Sequence, residues 1–182
     1  MVRSLLADRF GLVTHLETKQ VPVFGLVLLK PGKTGPRLQA HPDTGTCLTT
    51  FPKADSPQPT AIEDDRFPAI CGAFLEMPAS AAGRKRLGAR NVTMAFIANG
   101  FSNFGNLGRP VLDQTGLTGK FDMSVEWVPE TNEPGGGPDF QPDPSGPYFL
   151  QAVKEQLGLR LVSQKGSTDV LVVDHIEHPS GN

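Results

Sequence analysis

The chain has 182 residues, 38% of them apolar and 20% charged, with a formal net charge of -2 and a pI near 6.1. This composition excludes a disordered polyelectrolyte and leaves no basic footprint for nucleic acid or an anionic membrane. No apolar run approaches the ~20 residues of a membrane-spanning helix, while 20 Gly and 17 Pro predict long loops.

Asp8 and Arg9 interrupt any signal-peptide core, and Val2, Leu5 and Leu6 on one helical face predict a short amphipathic helix instead. Two strands follow, Gly11 to Glu17 and Val21 to Leu29, joined by a turn at Lys19-Gln20. Pro22 sets the second at a sheet edge or at its own first residues. Residues 31–83 read as a long excursion rich in Pro, Gly, Thr and Asp, with one apolar run from Ala69 to Met77. The basic run Arg84-Lys85-Arg86 with Arg90 reads as a solvated strand or loop edge.

Thr93 caps a helix whose Met94, Phe96, Ile97, Phe101 and Phe104 recur at helical spacing, and Asn99, Gly100, Asn103 and Gly105 weaken it. Arg109 to Asp113, a turn at Thr115 to Gly119 and a strand from Phe121 to Trp127 come next. On that strand Phe121, Met123, Val125 and Trp127 share one face; Asp122, Ser124 and Glu126 share the other, read as solvated. A Pro/Gly linker, 129–146, leads to a helix with Ser145 as its cap and Pro147 in its first turn. Strands at Leu159 to Gln164 and Val170 to Ile176 close the chain, with a turn at Gly166-Ser167.

Helix, Gly-Leu, strand, turn and strand thus recur at both ends, and the middle supplies a third copy. The expected fold is α+β: one domain over 1–182 with sub-units 1–30, 84–128 and 147–178, each a helix followed by an antiparallel hairpin.

Few residues point to chemistry. Asp174, His175, Glu177 and His178 resemble a metal cluster, but alternation along a strand splits them between two faces, so they read as a solvated strand end. His41, Asp43, Cys47 and Cys71 carry zinc-ligand chemistry at a spacing that matches no compact zinc motif. The two cysteines form one disulfide in an oxidising compartment or stay two thiols in a reducing one. Lys30 to Gly35 is a turn and not a phosphate loop, because Val27 stands where the required glycine belongs. Asp113, Asp122 and Glu126 read as surface carboxylates. No catalytic, cofactor-binding or metal-binding residue is assigned.

Arg109-Pro110-Val111-Leu112-Asp113-Gln114-Thr115-Gly116-Leu117-Thr118-Gly119-Lys120-Phe121-Asp122, running on to Glu126-Trp127, resembles a conserved family abundant in soil acidobacteria, a domain of unknown function of the DUF3738 type. Leu5 to Phe10, His15 to Lys19, Cys71-Gly72, Val92-Thr93-Met94 and Val173 to Pro179 look like its other landmarks. The resemblance implies an extracytoplasmic setting, since many members carry an export signal and some sit behind a BlaR-type membrane metallopeptidase. Measured against that family, this chain reads as a domain lacking its N-terminal segment, through which alone a membrane would be reached. By analogy of fold, the units look similar to the short N-terminal domains of secretins and TonB-dependent receptors, which bind protein partners. The expectation is a non-enzymatic cell-envelope domain that binds a protein partner or a ligand, without cofactor or nucleic acid. Its alternatives are a metal-dependent hydrolase using His41, Asp43 or the C-terminal histidines, and a purely structural envelope component.

Overall fold

The computed structural model describes residues 2–44, 47–50, 66–130 and 141–179. In chain order these form α1 (Val2–Phe10), β1 (Val13–Leu28), β2 (Leu38–Ala40), β3 (Phe74–Met77), β4 (Lys85–Val92), α2 (Met94–Phe104), β5 (Val111–Asp113), β6 (Phe121–Trp127), α3 (Phe149–Leu157) and β7 (Leu159–His175). One sheet has the order β5-β1-β7 and the other β2-β6-β4-β3, which makes the fold α+β. Two compact units emerge: a terminal unit, up to Val23 and from Gln164 onward, and a central unit, Phe24–Ser163.

None of the three expected hairpins forms. In the terminal unit β1 runs straight through Lys19-Gln20, and β7 runs straight through Gly166-Ser167. Those polar stretches meet each other instead: Gln20 Nε2 donates to Ser167 Oγ at 2.7 Å and Thr18 Oγ1 to Asp169 Oδ1 at 2.7 Å. Nearer the ends, His15 Nδ1 lies 2.8 Å from Asp174 Oδ2. Partners that run in opposite directions along the chain define an antiparallel pairing of its two ends. A polar dipeptide in an exposed strand has the same composition as a turn, and neither Lys19 nor Gln20 adopts the positive φ that a tight hairpin turn requires. The middle unit fails for another reason. β5 pairs in parallel with β1, Phe24 opposite Val111, whereas β6 lies in the other sheet.

The core lies in the central unit. Register sets Leu38 and Ala89 beside Met123 and Leu87 beside Val125, so these side chains share one face of the four-stranded sheet. Met94, Ile97, Ala98 and Phe101 from α2 and Phe149, Ala152, Val153 and Leu157 from α3 join them in one buried cluster. Phe149 stands edge-on to both Phe101 and Trp127, at centroid distances of 5.4 and 5.3 Å, a favoured aromatic geometry. Thr93 caps α2 as expected, its hydroxyl accepting from Phe96 N at 3.2 Å. Ser145 does not cap α3. The N-cap is Tyr148, without a side-chain bond, and Ser145 turns back to donate to Asp143 at 2.7 Å.

Two glycines bring backbones together at the end of α3. A Cβ on Gly35 would stand 2.4 Å from Gln156 O, and Gly158 holds a left-handed φ of 68° against Gly35 N. This closeness lets Gly35 N and Arg37 N donate to the carbonyls of Leu157 and Gln156, which a helix end leaves unmet. The chain then enters β2. Among the described residues of 31–83 there are thus two strands, β2 and β3, too short to show a period of two in sequence.

Candidate functional site

The other face of the four-stranded sheet departs most from expectation. All seven residues of β6 are buried, Asp122, Ser124 and Glu126 included, because β6 lies between β2 and β4 and chain packs over its polar side. Pro68 and Met77 cover it so closely that a Cβ on Gly88, opposite Ser124, would sit 2.7 and 2.5 Å from them.

Burying carboxylates demands partners. Glu126 accepts from the amide (2.9 Å) and hydroxyl of Ser80 and from Arg84 Nη1 at 3.3 Å. Burial pushes its carboxyl up, but the Ser80 bonds, Arg84 and the nearby charge of Arg37 together hold it below the usual carboxylate range. Arg84 Nε also donates to Asp143 at 2.8 Å, and Asp143 is held low by the Ser145 hydroxyl and amide and then by Arg84. The Arg84 guanidinium is raised in turn, by Asp143 first and Glu126 second. The basic run expected at a solvated edge thus supplies counter-charges to a buried face, and Arg90 is 8% exposed.

Asp122 is the second anchor. Its Oδ1 lies 2.7 Å from His41 Nδ1 and accepts from Asn91 N at 2.9 Å, and Arg90 Nε stands 3.8 Å from Oδ2. Asn91 presents its amide because β4 shifts register between Ala89 and Val92, where Asn91 takes a φ of 55° that asparagine tolerates better than most residues. Next to it Cys71 bridges Arg90, and Cys47 and Cys71 come to disulfide distance, Cα–Cα 5.4 Å. The four zinc candidates therefore part: Cys47 and Cys71 pair, His41 turns to Asp122, and Asp43 is exposed. His175 pairs with Glu177 at 2.8 Å while Asp174 meets His15, all exposed. Among the described residues no three His, Cys, Asp or Glu side chains are grouped to hold a metal ion.

An open site lies on the helix-facing side of the same sheet: a cleft of about 400 Å³ within the central unit. Register places Glu76 opposite Leu87 and Lys85 opposite Trp127, so β3, β4 and β6 send these side chains to one wall. The end of α2 supplies Asn103 and Phe104, and Asn106 follows in the turn at a left-handed φ of 47°. Phe74, stacked on Phe96 at 4.9 Å and packed against Phe104 at 5.1 Å, lies along the face of α2 past Gly100. Trp127 is 3% exposed in the floor, and its indole nitrogen has no hydrogen-bond partner. Small-molecule sites take this form: aromatic and apolar surface with a few convergent polar groups.

Sequence reasoning missed both the cleft and the buried charges. One signal was available, since β4 is basic where it opposes the acidic face of β6, Arg86 beside Glu126. The motif from Arg109 onward is architectural: Arg109 lies over the Phe24 ring at 5.5 Å, and Asp113 Oδ1 accepts from both the amide and the hydroxyl of Thr115.

An α+β fold with a paired-cysteine loop and an open aromatic cleft defines a class of architecture before any chemistry. The profile of the DUF3738 family, described as a protein of unknown function, matches residues 1–176, and the chain belongs to that family. No curated protein and no solved structure matches it.

Proposed function

We propose that this chain is a non-enzymatic binding domain of the cell envelope, taking its ligand or an anchoring side chain of a protein partner in the cleft between β3, β4, β6 and the end of α2. The cleft carries the reading, since it sets Phe104, Leu87 and Trp127 beside convergent amides and charges. Three groups suited to acid–base work support it from the other side: Asp122, Glu126 and His41 are engaged in buried pairs on the opposite face of the sheet. The cysteine pair is compatible with an oxidising, extracytoplasmic compartment. Kinship with acidobacterial proteins fused to BlaR-type metallopeptidases belongs to the same reading.

The chain has one tryptophan, Trp127, in the lining of the cleft, so emission excited where Tyr148 does not absorb reports on that residue. Titration with cell-envelope extract fractions is expected to yield a saturable change in emission that Phe104→Ala weakens. Measurable turnover by the pure protein, together with no saturable change, would sink the proposal.

A further inference from the structure

The tryptophan that lines the cleft carries an unmet donor. A buried tryptophan N–H ordinarily finds an acceptor, because leaving it dry forfeits its hydration without replacement. Trp127 Nε1 is sealed from water and makes no hydrogen bond, although the ring lines an open cleft. Around it Leu87 is apolar and buried, Phe104 presents a ring that is 41% exposed, and Asn103 and Asn106 bring amides to the rim. Arg86 donates to the Arg66 carbonyl at 3.0 Å and stands opposite Glu126 on the other face of the sheet, which leaves Glu76 and Lys85 as one charge of each sign and favours neither an anion nor a cation.

Building on the binding reading above, we infer that the cleft takes a small uncharged molecule with an apolar or aromatic body and a carbonyl-type acceptor. The body lies against Phe104 and Leu87, and the acceptor receives the Trp127 indole proton. Reaching that proton requires a lining side chain to turn aside, a rotamer change of the kind binding sites commonly make; Phe104, 41% exposed and held on one side by Phe74, is the most exposed large apolar group of the lining. A volume of about 400 Å³ falls at the lower end of the small-ligand range.

Two probes of similar size separate the claims: benzamide, which carries the acceptor, and toluene, which lacks it. The intact chain labelled with nitrogen-15 shows one indole resonance, from its one tryptophan. That resonance is expected to move downfield with saturation on adding benzamide, as a proton does on gaining an acceptor, and to show no downfield hydrogen-bond shift with toluene, whose ring current alone acts on it. The benzamide-to-toluene affinity ratio, from ligand-observed NMR, is expected to fall about 10-fold in Trp127→Phe, which keeps a ring and loses the donor. Phe104→Ala, at an exposed position, should weaken both probes and preserve the ratio. Should both probes bind while the indole resonance shows no downfield move with benzamide, the acceptor assignment is overturned and the cleft survives as an apolar site. Binding of neither probe overturns the cleft reading itself.

Discussion

Single residues carry unusual weight on the second face of the four-stranded sheet. Removing the Glu126 carboxylate leaves Arg84 and both Ser80 donors without it beside a buried strand, so Glu126→Ala is expected to cost about 3–5 kcal/mol in urea denaturation. The folded pKa of Glu126 lies below its ordinary value of 4.5. Its stabilisation is therefore complete above about pH 4.5 and is lost as the pH falls through the lower folded value. Urea midpoints measured from neutral to acid pH should decline less steeply in Glu126→Gln than in the unmutated chain. Gly100 is as specific, though apolar. Alanine there would raise helix propensity by about 1 kcal/mol, yet its Cβ would stand 2.1 Å from the Phe74 ring. Thermal melts of Gly100→Ala are expected to show net destabilisation of about 1–3 kcal/mol from overpacking.

At the scale of elements, the Cys47–Cys71 loop anchors what covers the sheet. Leu48 pairs with Ile70, Cys71 N donates to Leu48 O at 2.8 Å, and Gly72 N reaches Arg90 O at 2.8 Å, so a cross-link spanning 24 positions continues into β4. Chain entropy makes closure of such a loop worth about 3 kcal/mol. Thiol titration of unreduced, denatured protein should find no free thiol, and the double variant Cys47→Ser, Cys71→Ser should lose about that stability. A count of two thiols would refute the pairing. The elements also explain the misread repeat. Helix followed by Gly-Leu and strand does recur, at Phe10-Gly11-Leu12 and Leu157-Gly158-Leu159, and both glycines have positive φ, 58° and 68°. Each helix therefore ends alike and launches one long strand; the second strand of each supposed hairpin is the continuation of the first.

For the whole molecule, the pairing of two chain ends more than 140 positions apart predicts slow folding, because loop closure must precede any reward from those contacts. The core cluster runs from Leu26 to Leu159, inside the central unit. A chain cut to residues 24–163 is accordingly expected to unfold cooperatively in urea and to keep the near-UV circular dichroism of Trp127. Loss of both signals would show that the terminal unit is required for the core.

The sequence by itself determined the fold class, the apolar face of β6, the α2 cap and the proximity of helix, glycine and strand at both ends, because each rests on local periodicity or on a single backbone requirement. It also held the family relationship across residues 1–176. Tertiary structure alone decided the pairing of the ends, the split of β5 from β6 and the burial of Asp122 and Glu126. Those outcomes depend on which distant segment lies alongside: a polar strand face has one composition whether water or Arg84, His41 and Ser80 meet it. The cleft belongs with them, since Trp127, Lys85, Glu76 and Asn106 become neighbours only once three strands and a helix end have met.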